Sequence, residues 1–504
     1  MKRFFALVLA LVFCIAAFSA CNENDTEIPS ETTGVAESTT TAEALTTTVT
    51  TATTTSGKTK FEEIFSPENE ALLSTLINDV QNGDVLEDLP EFTKKYTSSA
   101  PAGKGGYVHI YEKATLTIFR SYSENLKANG FAQYTKNEFN ANNDTSAKNY
   151  FATFISKVTQ VDIEFHSVEK IMYVNITPRS ATVLPAREAP EYTPAGDNYP
   201  TMLTQIGHED SHADTSTLCL VIRIADGSFV IIDAGMSGEA VADRIYTVLR
   251  KQAPDPDNII ISAWVITHAH WDHAQGFIDF ATKYKKAKTI TLKQMVYNFP
   301  DESLLDPTDS VIARQQNTES LAKFFNKNVE ILKPHTGNVL YYPGVRFNVL
   351  YTQENYLAED DDFYSNYNTC SLVMQMVTDN DIKLFIAADH AISWCGSGDI
   401  YKWYGDFIES YITTTFHHGY GGGADGKVYG VIKPKIVLWN VNEYRVKLNG
   451  MTGNTFNQYF TAADAETKNG VKYYIAGNKV HVIKLNTSNP KVEEYASVTL
   501  YANS

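Results

Sequence analysis

The run Asn258-Ile259-Ile260-Ile261-Ser262-Ala263-Trp264-Val265-Ile266-Thr267 is apolar on both alternations and empties directly into His268-Ala269-His270-Trp271-Asp272-His273. A strand with two apolar faces has to be covered on both, which places it at the centre of a layered α/β fold. His268, His270, Asp272 and His273 therefore stand at the exit of a buried strand. Imidazole and carboxylate are donors suited to zinc, manganese or iron, and a tight loop aims alternate side chains at two adjacent ions. Without a metal, crowding these polar groups together costs a few kcal/mol for each one left unpaired.

The pattern around this loop agrees with a strand-and-helix alternation from about residue 195 to the end at 504. TLCLVIRIA, Asp226-Gly227 and SFVIIDAG read as strand, turn and strand, the Asp-Gly pair predicting a type I′ hairpin. A helix with Ala240, Val241, Ile245, Val248 and Leu249 on one face follows, and Pro254 and Pro256 stop it. Further strands are expected at VEILKP, VRFNVLY, SLVMQMV, IKLFIAAD, YITTTFHHG, KIVLWNV, VKYYIAG and VHVIKL, with helices over 309–327, 399–410 and 452–467. Two sheets with outer helices accommodate this order.

Upstream, residues 61–185 predict a small α+β domain of unassigned role, opening with a helix over 69–82 on which Leu72, Leu73, Leu76 and Ile77 recur at helical spacing. Its His109 and His166 have no neighbouring ligand cluster and read as half-buried or surface histidines. Residues 21–60 are dominated by Thr, Ser, Glu and Ala and predict a disordered tether with a reach of roughly 30 to 35 Å. Residues 1–20 have a basic start, an apolar run and a small-residue finish, the layout of a secretory signal, and Phe18-Ser19-Ala20-Cys21 resembles a bacterial lipobox. That resemblance implies cleavage before Cys21, a lipid on its sulfur, and an exported protein anchored at the outer face of a bacterial cell membrane. Cys219, Cys370 and Cys395 make an odd, widely spaced set, which is no disulfide framework although one pair has room to form.

The loop THAHWDH matches the HxHxDH signature of the metallo-β-lactamase fold, and the chain from about residue 195 to Tyr501 resembles that superfamily in order. The resemblance implies an αββα sandwich. It assigns Asp233 in FVIIDAG to the carboxylate that braces the metal loop, and Asp389 in LFIAADH to the one that bridges two ions. His417-His418-Gly419, with Asn368-Thr369-Cys370-Ser371 and a closing hairpin YYIAGNKVHVIKL, resembles the branch containing the DNA-uptake protein ComEC and secreted phosphorylcholine esterases. By that resemblance His268 and His270 hold one divalent metal ion, Asp272 and His273 the second, and Asp389 bridges them. One of His417 and His418 completes the second site and the other binds the substrate's oxyanion. Many relatives supply a further histidine between the loop and the bridging Asp; here His335 is alone in that interval, beside a peripheral hairpin, so the first ion is expected to be held weakly. His390, His208 and His212 are expected in supporting or surface positions, while Tyr420, Tyr367 and Trp271 are candidates to wall the pocket.

The implied chemistry is hydrolysis by a hydroxide shared between two ions, zinc foremost with manganese or iron as alternatives. A phosphodiester of small or envelope-derived material is the favoured substrate; nuclease action, β-lactam or thioester hydrolysis, and a non-catalytic binding lipoprotein are the alternatives. Charge weighs against nucleic acid. The chain stands at −17, and losing residues 1–20, which carry Lys2 and Arg3 and no acid, leaves −19, with EDDD at 359–362 adding local negative charge.

Overall fold

A computed structural model describes residues 65–81, 83, 86–103, 105–141, 144–179, 183–207, 216–354, 367–390, 400–419, 426–444 and 471–504. The expected signal, Cys21 and the tether lie outside the described residues, as do His208, His212, the acidic run 359–362, Cys395, Tyr420 and the helix expected over 452–467.

Two sheets face each other. The first comprises β7 (Met202–Ile206), β8 (Leu220–Arg223), β9 (Phe229–Ile232), β10 (Ile259–Val265), β11 (Ile290–Leu292), β12 (Gln294–Val296), β13 (Glu330–Leu332), β21 (Val480–Lys484) and β22 (Val492–Tyr495). Its order is β13-β12-β10-β9-β8-β7-β21-β22, with β11 also on β10. The second comprises β14 (Val339–Tyr342), β15 (Val345–Tyr351), β16 (Val373–Thr378), β17 (Lys383–Ile386), β18 (Ile412–Thr414), β19 (Ile436–Trp439) and β20 (Lys472–Ile475), in that order.

Alternation along the strands sorts side chains into layers, with an irregularity between Ile261 and Ala263 that switches the faces of β10. Val230, Ile232, Ala263 and Val265 meet Phe347, Val349, Met374, Met376, Leu384 and Ile386 between the sheets. Phe229, Ile231, Ile261 and Trp264 turn outward onto α3 (Glu239–Gln252) and α4 (Trp271–Tyr284), through Val241, Ile245, Val248, Leu249, Phe277 and Phe280. On the far side Phe385, Val437 and Trp439 pack on α6 (Ile400–Tyr404) and α7 (Gly426–Ile432). Each fully buried large apolar side chain contributes about 1.5–3 kcal/mol, so both faces of β10 hold the central strand firmly. This is the αββα arrangement expected for an α/β chain.

Upstream, α1 (Pro67–Asn78) and α2 (Leu116–Ala128) accompany a six-stranded antiparallel sheet. Its strands are β1 (Ser98–Gly103), β2 (Gly106–Tyr111), β3 (Ala132–Ala141), β4 (Asp144–Ile155), β5 (Thr159–His166) and β6 (Ile171–Pro178), ordered β1-β2-β6-β5-β4-β3. Phe119, Tyr122 and Leu126 of α2 bury against Phe154, Val161, Ile163 and Val174. Phe139 and Phe151 of this sheet belong to the same apolar cluster as Trp403 and Tyr404, and Asn149 Nδ2 donates to the Trp403 carbonyl at 2.9 Å. Residues 59–504 accordingly cluster as one unit.

Local expectations are corrected in three places. The turn after β8 is not type I′: Gly227 (φ +83) has positive φ and Asp226 does not, and Gly227 N–H donates to Ile224 O at 2.9 Å, a type I turn followed by a left-handed glycine. The closing segment is no hairpin, because β20 joins β19 in parallel in one sheet while β21 joins β7 and β22 in the other. The helix expected over 399–410 ends at Tyr404 and gives way to a 3-10 turn.

Candidate metal centre

The centre is assembled at the ends of β9, β10, β17 and β18. His270 caps α4, so Asp272 and His273 occupy its first turn, where the helix dipole favours the Asp272 carboxylate. α4 comes close to the end of β9: a Cβ on Gly276 would sit 2.1 Å from the Ala234 carbonyl oxygen, so only glycine lets the helix, and with it Asp272 and His273, lie this near. Asp233, fully buried at φ +53, braces the loop. Its carboxylate accepts from Thr267 N–H at 2.7 Å and the Thr267 hydroxyl at 2.6 Å, and lies 2.7 Å from His273 Nδ1. Trp264 Nε1 donates to its carbonyl. On the opposite sheet, His418 (φ +53) is fixed by Trp439 Nε1 donating to its carbonyl at 2.8 Å and by its Nδ1 lying 3.2 Å from the Asn440 carbonyl oxygen. A side chain on Gly419 (φ +81) would strike the Trp439 ring, 2.5 Å from Nε1.

Asp272, His273, Asp389 and His418 offer ligand atoms all within 4.8 Å of one another, and His268, His270 and Asp389 form a second such group. Asp389 is common to both. Its Oδ1 lies 3.1 Å from His273 Nε2 and 3.0 Å from His418 Nε2, yet no hydrogen bond closes on it. A buried carboxylate oxygen ringed by imidazole nitrogens and lacking a hydrogen bond is what a divalent cation satisfies, so these residues fit the metals the sequence implies.

Burial pushes the His273 ring down, but the Asp389 and Asp233 carboxylates override it and hold it at about 10. His418 is raised for the same reason by Asp389 and Asp272, against its burial. Burial disfavours the Asp389 charge, yet His273 and His418 hold its carboxyl well below the usual range. Burial and the neighbouring imidazoles keep His268 well below an ordinary histidine, neutral and ready as a ligand.

Of the two histidines left as alternatives, His418 falls in the first group and His417 in neither; the His417 Nε2 lies 3.3 Å from Asn368 Nδ2. His335 is elsewhere too, with Nδ1 2.8 Å from Glu354 and Nε2 3.4 Å from Asp162. His390 is buried, its ring 4.7 Å from that of Tyr351. His166, expected to be half-buried or at the surface, is 1% exposed and packs on Trp403. His109 stacks on Tyr96 at 3.9 Å. Tyr367 packs on His270 with ring centroids 5.1 Å apart, and Trp271 remains 47% exposed. Cys219 and Cys370 are buried, and no disulfide joins them. Sequence reasoning missed Arg314, whose Nε donates to the Ala269 carbonyl inside the metal loop at 2.7 Å. Nothing in its local sequence signals this, since α5 (Ser310–Ala322) meets the loop only in three dimensions.

Residues 213–344, about a quarter of the chain, match the Metallo-beta-lactamase superfamily. No curated protein matches. Among solved structures, CmlA, a diiron beta-hydroxylase from Streptomyces venezuelae, is 12% identical with a TM-score of 0.35, covering 58% of this chain and 55% of that one. A mutant of the CmlA hydroxylase gives 11%, 0.35, 56% and 54%. A metallo-beta-lactamase from Cronobacter sakazakii with a HARLDQ motif gives 14% and 0.22, covering 38% of this chain and 63% of that one. This chain thus spans about half the length of the hydroxylase. The family match, not these distant structures, carries the assignment: residues 213–344, which include the loop at the end of β10, form a metallo-β-lactamase superfamily domain segment.

Proposed function

We propose that the chain is a metal-dependent hydrolase, anchored through a lipid on Cys21 at the outer face of a bacterial cell membrane, that cleaves a phosphodiester. The observation that carries the hydrolase reading is Asp389, one carboxylate shared by two ligand groups. Two divalent ions, zinc foremost with manganese or iron as alternatives, would supply Lewis acidity and a nucleophile at neutral pH. His268 and His270 would hold one and Asp272, His273 and His418 the other, with Asp389 between. His273 Nδ1–H donates to the Asp233 carboxylate and His418 Nδ1–H to the Asn440 carbonyl, so each would present Nε2 to the centre. Asn368 Nδ2 donates to His417 Nε2, which leaves the proton of a neutral ring on Nδ1 and makes His417 a donor for the substrate's developing oxyanion.

The phosphodiester preference is supported by the resemblance of His417-His418-Gly419 and of 368–371 to the ComEC-like branch. A small or envelope-derived ester, of phosphocholine or teichoic type, is favoured over nucleic acid. Productive binding of DNA requires several phosphates to be neutralised by Lys or Arg, and a processed chain at −19 meets that need poorly. The purified protein is expected to contain two divalent ions and to cleave bis-p-nitrophenyl phosphate in a chelator-sensitive way. Folded protein that takes up metal and cleaves no phosphodiester refutes the reading. Efficient cleavage of single-stranded DNA, falling steeply with salt, would replace it with a nuclease. Cys21→Ala should release the protein from the membrane fraction or leave it unprocessed.

A further inference from the structure

Arg314 is a fixed positive charge set against a loop built for cations. Two of its donors are spoken for, Nε by the Ala269 carbonyl at 2.7 Å and Nη2 by Ser310 Oγ at 3.1 Å. A guanidinium carries five N–H donors in a planar fork, and the other three take no partner among the described residues. The side chain is half-buried. Ala269 lies between His268 and His270, so the fork sits within one residue of two ligands, and consecutive Cα atoms are only about 3.8 Å apart. Its charge is felt at His270 and at Asp272. Asp309 and Tyr367 are its other close neighbours.

Asp309 and Asp272 offset part of this charge, and the donors they leave unengaged suit an incoming anion beside the ligand loop. The geometry points to Arg314 as the residue that anchors the anionic group of the substrate, gripping a phosphate-type oxyanion at the rim while the ligand groups handle the scissile bond. Planar, bidentate recognition of phosphate is what a guanidinium does and an ammonium does less well. This deepens the hydrolase reading and rests on it. The competing role is purely mechanical: the bond from Nε to Ala269 would brace the loop and nothing more.

The two roles separate experimentally in the full chain. Arg314→Gln and Arg314→Lys are compared with wild type on anionic bis-p-nitrophenyl phosphate and neutral p-nitrophenyl acetate. Binding of inorganic phosphate is measured by calorimetry with and without added zinc. A charge-assisted contact supports a preference of about tenfold or more. In Arg314→Gln the kcat/KM ratio of anionic to neutral ester is therefore expected to fall by about tenfold or more, chiefly through KM. Phosphate affinity falls alongside, and Arg314→Lys recovers part of both. Equal losses on the two esters, or unchanged phosphate affinity in Arg314→Gln, would overturn the anchor and leave a loop brace. If wild type cleaves neither ester, the hydrolase reading fails on its own, while phosphate binding that depends on Arg314 still upholds the anchor.

Discussion

Replacing His335 with Gln tests how the upstream sheet is tied to the metal-binding domain. His335 is 7% exposed and lies between Glu354, 2.8 Å from Nδ1, and Asp162 of β5, 3.4 Å from Nε2. Burial pushes its imidazole down, yet Asp162 and Glu354, with Glu164 behind them, hold it at about 9. An ordinary imidazole in the unfolded chain titrates near 6.5, so folding raises the value. A raised value stabilises the fold fully below about pH 6.5, and the gain is lost as pH climbs through about 9. At about 1.4 kcal/mol per unit the gap is worth at most about 3.5 kcal/mol. Asp162, whose carboxyl burial pushes upward, loses its imidazolium partner when the ring gives up its proton, whereas Glu164 keeps its contact with His166 at 3.1 Å. Lys333 lines a cavity together with His335 and Glu354. Urea unfolding of wild type and His335→Gln at intervals from about pH 6 to about pH 10 reads this directly. Wild type should be more stable by about 2–3 kcal/mol near pH 6.5, and the two should converge above about pH 9. Parallel stability profiles across that range would refute the buried-imidazolium account.

Three further outcomes follow from the metal centre. His418→Ala should retain one ion of two and lose most turnover, whereas His417→Ala should retain both ions and lose turnover; the reverse stoichiometry by metal analysis would exchange their roles. Graded chelation should strip one equivalent well before the other, because one group has His268, His270 and Asp389 and the other adds a fourth ligand; simultaneous release would show that the first site is completed by a residue not yet placed. Asp233→Asn, which disturbs the carboxylate bonded to Thr267 and paired with His273, should weaken metal affinity by about 10- to 100-fold in a chelator competition; unchanged affinity would show that the brace is dispensable.

The loop at the end of β10 was legible in the sequence because its information is local. Four ligand-type residues fall within six positions after a strand apolar on both faces, and no distant contact is needed to see either feature. The order of strands and helices followed from the same short periods. Where those periods are weak, elements were missed: β3, AQYTKNEFNA, carries polar residues along much of its length, and β1, SSAPAG, has no apolar run. Asp233, Asp389 and the histidine pair were found only through resemblance, since a single carboxylate after a strand is common.

Adjacent His417 and His418 look alike in one dimension. What separates them is a backbone at φ +43 and +53 that sends one ring to Asp272 and Asp389 and leaves the other with Asn368. β20 and β21 likewise read as one hairpin, and their division between two sheets depends on strands β19 and β7, drawn from distant parts of the chain. His335 had no local partner to predict, because Asp162 reaches it from the other end of the fold. Short-range patterns specify which faces must be buried. Which distant partner covers each face, and which charge meets which, is settled only when the whole chain packs, because several pairings satisfy the same local pattern and the packed core leaves room for one.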